Sequence, residues 1–341
     1  MRKLACLFLV VTLYLAYSCG SNEFETDISD VAIAPVKFKR LDVDLFEVDT
    51  NQIVQHSRVL TKKYGTFYNK FIVSVFQNEG IKDSMYSADL KKFTGDKDMR
   101  GIYSMIKSAY SEKDIESLEE AATVALQRAK KLFPDTVLPT QFVLMSSGLS
   151  YRNVNIDSTM AVCLDFYLGK DAVYYNMLQT PIPVYKKRLM EKEYILRDML
   201  MSWVLFKFDL NEPEKNLLES MIEAGKFYYC TKRLAPEMED SLLFGYTSKQ
   251  MEYCGQYEKD LWRYFSEKNR LYINDMKEIL AYNSDGPFTA AISKDCPPGI
   301  ARYIGYRIVC AYMKNNKNVK LPALMADNEF QKIMLKSKYK P

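Results

Sequence analysis

The chain has 341 residues, with 47 Lys and Arg against 43 Asp and Glu, and its formal excess of +4 is spread without a dense basic block. That balance argues against nucleic acid as a partner, and the 48% share of hydrophobic residues excludes a disordered chain.

Arg2 and Lys3 precede an apolar run of 14 residues, Leu4 to Tyr17, which ends in small residues beside Cys19. This is the layout of a secretory signal. The run is well short of the roughly 20 residues of a spanning helix, and Ser21, Asn22 and Glu23 turn polar, so no lasting transmembrane anchor is expected. A cysteine at the cleavage point, after Leu15-Ala16-Tyr17-Ser18, marks a lipoprotein signal. The expectation is cleavage before Cys19 and acylation of Cys19, palmitate included. Several chains give lasting membrane attachment at about 0.8 kcal/mol per buried methylene. Residues 1–18 are then a signal peptide, 19–34 an acidic tether carrying Glu23, Glu25, Asp27 and Asp30, and 35–341 a single globular domain.

Past the tether, Val36 to Phe46 alternates apolar and polar residues and reads as a strand. Phe67, Phe71, Ile72, Val75 and Phe76 recur at three and four residues and define a helical stripe. Ser111 caps a long helix with Glu112 and Asp114 in its first turn and Arg128, Lys130 and Lys131 in its last, stopped by Pro134. The period then changes to two. Gln141–Met145, Tyr151–Ile156 and Met160–Leu168, with a turn at Ser147-Gly148, predict a small antiparallel meander. Helices return over Lys186–Phe208, Pro213–Tyr229, from a Thr247/Gln250 capping box through Phe265, and over Ile300–Lys314 behind Pro297-Pro298-Gly299. The fold class is α+β, mainly α-helical.

Beyond Cys6 and Cys19 five cysteines remain, an odd number in a compartment that permits disulfides. Cys163 and Cys310 fall in apolar runs and read as buried small hydrophobes, and Cys230 with Cys254 is the pair to test. No close Cys spacing suggests a metal site. The single histidine, His56, stands in a helical segment far from any carboxylate-rich constellation, and no phosphate loop or nucleophile elbow is present. Carboxylates such as Glu119 with Glu120, or Glu237 with Asp240, have the spacing of solvated helix faces.

Several segments carry a family resemblance in order: Lys192-Glu193-Tyr194-Ile195-Leu196, Met221 to Lys226 with Tyr228, Gly245 to Gln250, Asp285-Gly286-Pro287-Phe288-Thr289, Pro298 to Val309, and Ser337 to Pro341. Together they resemble the gliding motility lipoprotein family GldB over most of the mature chain. That family is distantly similar to zincin-like predicted zinc metallopeptidases, in which a helix with His-Glu-x-x-His is followed by a second helix supplying a glutamate. The resemblance implies a metallopeptidase-like domain with a small antiparallel β-sheet. Here the first helix, with Arg197, Asp198 and Trp203, has no histidine, and the second has Ala224 where the ligand glutamate is expected, beside Glu223. Two imidazoles four residues apart hold zinc and leave a position for water; arginine and serine do not replace them.

The resemblance therefore implies a pseudopeptidase without metal or cofactor. Glu193, Arg197, Asp198 and Glu223 are the candidate lining of its former cleft. Arg302, Tyr303, Tyr306 and Arg307 form a second polar concentration, and Gly305 suggests close helix packing. The expected role is that of a noncatalytic envelope lipoprotein, held on a membrane by Cys19, on the periplasmic side of the outer membrane. Its partners would be envelope proteins of the gliding or type IX secretion machinery. The alternative is a carboxylate-dependent hydrolase acting on peptides or peptidoglycan, for which the 25 tyrosines would supply stacking surfaces.

Overall fold

A computed structural model describes residues 23–76, 83–178, 180–208 and 215–341. The signal segment and Cys19 lie outside the described residues. Strand β1 (Phe38–Arg40) runs directly into helix α1 (Leu41–Phe46). The strand expected through Phe46 is thus only three residues long. Leu41, Leu45 and Phe46 share one helical face and are at most 2% exposed, and that burial overrides the alternation read from Val36-Lys37-Phe38-Lys39.

Helices α2 (Ile53–Tyr64), α3 (Thr66–Phe76), α4 (Asp83–Gly95) and α5 (Lys97–Ala109) follow. Phe67 and Phe71 of the apolar stripe are buried and stacked; Ile72, Val75 and Phe76 are outside the described side chains. Helix α6 (Glu112–Leu132) starts at the expected Ser111, in a reciprocal capping box with Asp114.

The sheet comprises β1, β2 (Gln141–Met145), β3 (Asn153–Ile156) and β4 (Thr159–Cys163), in the order β1-β2-β4-β3. The antiparallel meander is corrected here: β1 with β2 and β2 with β4 are parallel, and only β3 with β4 is antiparallel. The turn after β2 does not fold the chain back on it. Gly148 (φ +64°) and Leu149 (φ +61°) send the chain to the sheet edge, and β4 returns between β3 and β2. Both faces are covered, as parallel strands require. Phe142, Leu144, Met160 and Val162 face the larger core, while Val143, Met145, Ala161 and Cys163 face a smaller one built with α1 to α3.

A 3₁₀ turn (Leu164–Phe166) and short helices α7 (Val173–Met177) and α8 (Val184–Lys187) lead to α9 (Tyr194–Phe208). The helix expected from Lys186 to Phe208 is therefore broken. The Gly169 N–H bonds the Met190 carbonyl and the chain turns at Glu191, tying this break to the segment after the sheet.

Helix α10 (Leu217–Leu234) begins at an Asn216–Glu219 capping box; Pro213, its expected start, is outside the described residues. Then come α11 (Asp240–Phe244), α12 (Ser248–Ser266) on the expected Thr247/Gln250 box, α13 (Met276–Asn283), α14 (Ile300–Asn315), α15 (Leu321–Ala326) and α16 (Phe330–Ser337). Helices α10 and α14 meet at Gly225 and Gly305. A Cβ on Gly225 would lie 2.3 Å from the Gly305 carbonyl oxygen, and one on Gly305 would lie 1.7 Å from that of Met221. The glycines bring the two backbones into contact, as the sequence suggested for Gly305.

The acidic N-terminal segment is fastened to this core. Glu25 pairs with Arg128 and Asp30 with Lys131 on α6, while the Phe24 ring packs on Tyr229 and its carbonyl accepts from Arg233 on α10. At the other end the Tyr339 hydroxyl donates to Glu258 on α12, which also holds Arg307. Among the described residues no helix is long and apolar enough to cross a membrane.

Candidate functional site

Helix α9 is apolar on most of its circumference, and it places Arg197 and Asp198 at 6% and 8% exposure between β3 and α11. Charges this deep are stable only when paired and hydrogen-bonded. Asp198 Oδ1 accepts from Arg197 Nε at 2.7 Å and from its Nη2, and Oδ2 accepts from Arg152 Nη1 at 3.0 Å and from the Tyr167 hydroxyl at 2.9 Å. Arg197 spends a further donor on the Leu242 carbonyl and lies over the Tyr194 ring. Burial, and then the Asp198 charge, push the Tyr167 phenol well above its ordinary value, so it remains a proton donor.

Arg152, Arg197 and Asp198 border a cavity of about 490 Å3 between the β2–β3 loop, α9, α10, α11 and α14. Arg302 enters it from the first turn of α14, with its guanidinium over Gly299 and Nη2 at 2.7 Å from Asp285. Gly299 has φ +60°, and a Cβ there would fall 2.2 Å from Arg302 Nη2, so glycine meets both the backbone and the space requirement. Ser202, four residues after Asp198, also lines the cavity and accepts from Asn155 of β3.

The structure thus brings together Arg197 and Asp198 of the four candidate cleft residues. Glu193 is exposed just before α9 and borders separate cavities with Tyr194 and Glu239, and with Gly169 and Arg188. Glu223 lies on α10 and is ion-paired with Lys215, whose ammonium lies over the Phe330 ring. Arg307 and Arg302 of the second concentration diverge, one to Glu258 and one to the cavity, while Tyr303 and Tyr306 pack edge-on against Phe244. Sequence reasoning missed Arg152 and Tyr167. Arg152 fell within an expected strand and Tyr167 within an apolar run, and neither setting reveals that they meet Asp198.

Among the described residues no group of three His, Cys, Asp or Glu side chains could hold a metal ion. His56 lies on α2, half-buried, its Nε2 sealed from solvent without a hydrogen-bond partner. All five described cysteines are free thiols, so Cys230 and Cys254 are not bonded. Cys163 is fully buried and Cys310 half-buried, and burial pushes the Cys310 thiol up to about 12. A second buried centre supports the loop after β2: Asp165 accepts from the Ser147 and Leu149 N–H groups, and the Tyr175 hydroxyl donates to its carbonyl. Burial pushes its carboxyl up to about 6 against the pull of those N–H groups.

Fold and cavity define a helix-rich α+β protein with a mixed four-stranded sheet and a polar cleft organised by arginine–aspartate pairs. Three of the segments that carried the resemblance each put one side chain on the cavity wall, Tyr228, Asp285 and Arg302, and others pack close by. Arg188 donates to the Gly245 carbonyl, the Tyr246 hydroxyl to the Pro298 carbonyl, and Thr289 to the Pro297 carbonyl. The chain belongs to the family of the gliding motility protein GldB, whose family model matches residues 21–341. No curated protein and no solved structure matches it.

Proposed function

We propose that this protein is a lipid-anchored, noncatalytic component of the cell envelope that serves the gliding and secretion machinery by binding other proteins, on a zincin-like scaffold without its metal. The observation that carries the reading is the state of Asp198. Both its oxygens are consumed by Arg197, Arg152 and Tyr167, so the one deeply buried carboxylate of the cleft serves as a structural counter-ion. Glu193 and Glu223, the other carboxylates considered, stand apart from it, one on an exposed rim and one paired with Lys215. Glycoside hydrolysis through carboxylates alone uses two carboxyl groups flanking one bond, and the separation of Asp198, Glu193 and Glu223 favours binding over a turnover of that kind.

Anchoring through Cys19 adds an orientation. Phe24 is docked on α10, and the five chain steps back to Cys19 reach at most about 18 Å. An acylated Cys19 would therefore keep the C-terminal ends of α6 and α10 near the headgroups and turn the opposite side toward soluble partners. The outer membrane, periplasmic face, is the location this reading assigns.

The test has two arms. Crosslinked envelopes captured on this protein should yield gliding or secretion components, and purified full chain should hold no stoichiometric zinc and hydrolyse neither peptides nor peptidoglycan. Turnover lost on Glu193→Gln or Glu223→Gln would replace the binding role with the hydrolase.

A further inference from the structure

We infer that the arginine-lined cavity is a receptor for a peptide carboxylate, namely the free C-terminus of a partner chain ending in a large apolar residue. The inference rests on the binding role proposed above and specifies what that site takes.

Three guanidinium groups, of Arg152, Arg197 and Arg302, border the cavity against two carboxylates, of Asp198 and Asp285, leaving one positive charge. Arg197 is spent within the protein, on Asp198 and the Leu242 carbonyl. Arg152 and Arg302 are not. Among the described residues each donates through one nitrogen, to Asp198 and to Asp285, and none of their other nitrogens is a buried donor without a partner. Both heads are also held in place. Arg152 lies over the rings of Phe166 and Tyr167, at 5.6 and 5.7 Å, and Arg302 rests on Gly299.

A guanidinium offers a planar fork that fits a carboxylate at two points. The single surplus charge matches a carboxylate monoanion and leaves a phosphate dianion overcharged. Beside the arginines one part of the wall is polar, with Ser150, Asn153 and Ser202, and another is apolar, with Met201, Leu205 and Phe244; Leu205 is 51% exposed. A volume of about 490 Å3 falls in the range of small-molecule pockets and accommodates about two residues.

The test uses the full chain in detergent micelles and a fluorescein-labelled Gly-Ser-Gly-Leu-Phe peptide with a free C-terminus. Its controls are the C-terminal amide, the amide with Asp in place of Leu, inorganic phosphate, and phosphatidylglycerol vesicles. Anisotropy should report saturable binding of the free acid, and amidation, Arg152→Gln and Arg302→Gln should each weaken it about tenfold or more. Lys170→Gln, a charge change at an exposed residue outside the cavity, should leave it unchanged. Unfolding midpoints of the variants report whether the fold survives, and the amide comparison on the unaltered chain does not depend on it.

Equal binding of acid and amide, no saturation up to millimolar peptide, or undiminished affinity in folded Arg152→Gln and Arg302→Gln chains would each overturn the inference. So would displacement of the peptide by micromolar phosphate or by the vesicles, and tighter binding of the Asp amide would move the carboxylate from the terminus to a side chain and reject the terminus. Failure of the peptide with envelope capture intact rejects this site alone, whereas cleavage of the peptide rejects the noncatalytic role.

Discussion

Replacing Gly305 by alanine adds one methyl group to helix α14 where there is no room for it. The new Cβ would sit 1.7 Å from the Met221 carbonyl oxygen and 2.3 Å from its carbon, both backbone atoms that no side-chain rotation can clear. Real Cβ atoms essentially never come within 3.0 Å of another heavy atom, so α10 and α14 must part locally by more than an ångström. Met221, Ile222, Ile304, Ile308 and Val309, all fully buried, lie along these two helices. A gap of that size forfeits about half the dispersion energy of each atom pair, and about 40 pairs at about 0.15 kcal/mol each then lose about 3 kcal/mol. The better helix propensity of alanine returns at most about 1 kcal/mol. Gly305→Ala should therefore lower stability by about 2 kcal/mol or more, with Gly225→Ala acting in the same direction. Gly255 on α12 is the control, because a Cβ there meets nothing within 4 Å; Gly255→Ala should raise stability by up to about 1 kcal/mol. Urea unfolding, followed by far-ultraviolet circular dichroism and by the fluorescence of Trp203 and Trp262, measures all three. A neutral or stabilising Gly305→Ala would refute the reasoning, since it would mean that the two helices are not in backbone contact.

Three further outcomes are expected. Asp198→Ala leaves the buried Arg197 guanidinium uncompensated and should cost about 3 to 5 kcal/mol in urea unfolding; a loss below 1 kcal/mol would show that the pair is solvated. Asp165 holds its proton more tightly in the folded chain, at about 6 against a usual 3.8, so its contribution to stability is complete below about pH 4 and is lost as pH rises through about 6. Urea titrations between pH 4 and 7 should show that decline in the natural chain and its absence in Asp165→Asn. Ser111→Ala removes the cap of α6 and should cost about 1 kcal/mol by the same assay, with Asn at this position retaining most of it.

Much of the helical structure was legible because its signals are local. The Ser111 and Thr247 caps, the apolar-to-charged periodicity of α6 and α12, and the glycine before α14 each act within one or two turns, and the helices start where those residues stand. Gln141–Met145 was equally plain, since five apolar or bridging residues between turn formers have little choice but to pair. The family was legible too, from the order of its segments.

Strand polarity was not. β1 pairs with β2, Phe38 against Phe142, although helices α1 to α6 come between them in the chain, and nothing within Gln141–Met145 selects a partner that distant over its neighbour in sequence. That choice is made by which face each strand must bury, and both faces of β2 are covered only once α1 to α3 and the larger core are in place. The cleft has the same origin. Arg152, Tyr167, Asp198 and Arg302 come from four separate elements and have unremarkable local settings, and only the folded chain lets one carboxylate satisfy two guanidinium groups and a phenol. Glu223, placed beside Arg197 and Asp198 by analogy alone, turns to Lys215 because the rotation of α10 is set by Gly225 against Gly305. Sequence by itself determined the capped starts of α6 and α12, the start of α14 behind its glycine, and the family. Tertiary packing alone decided which charges meet, because burial makes pairing obligatory and the partners are remote in the chain.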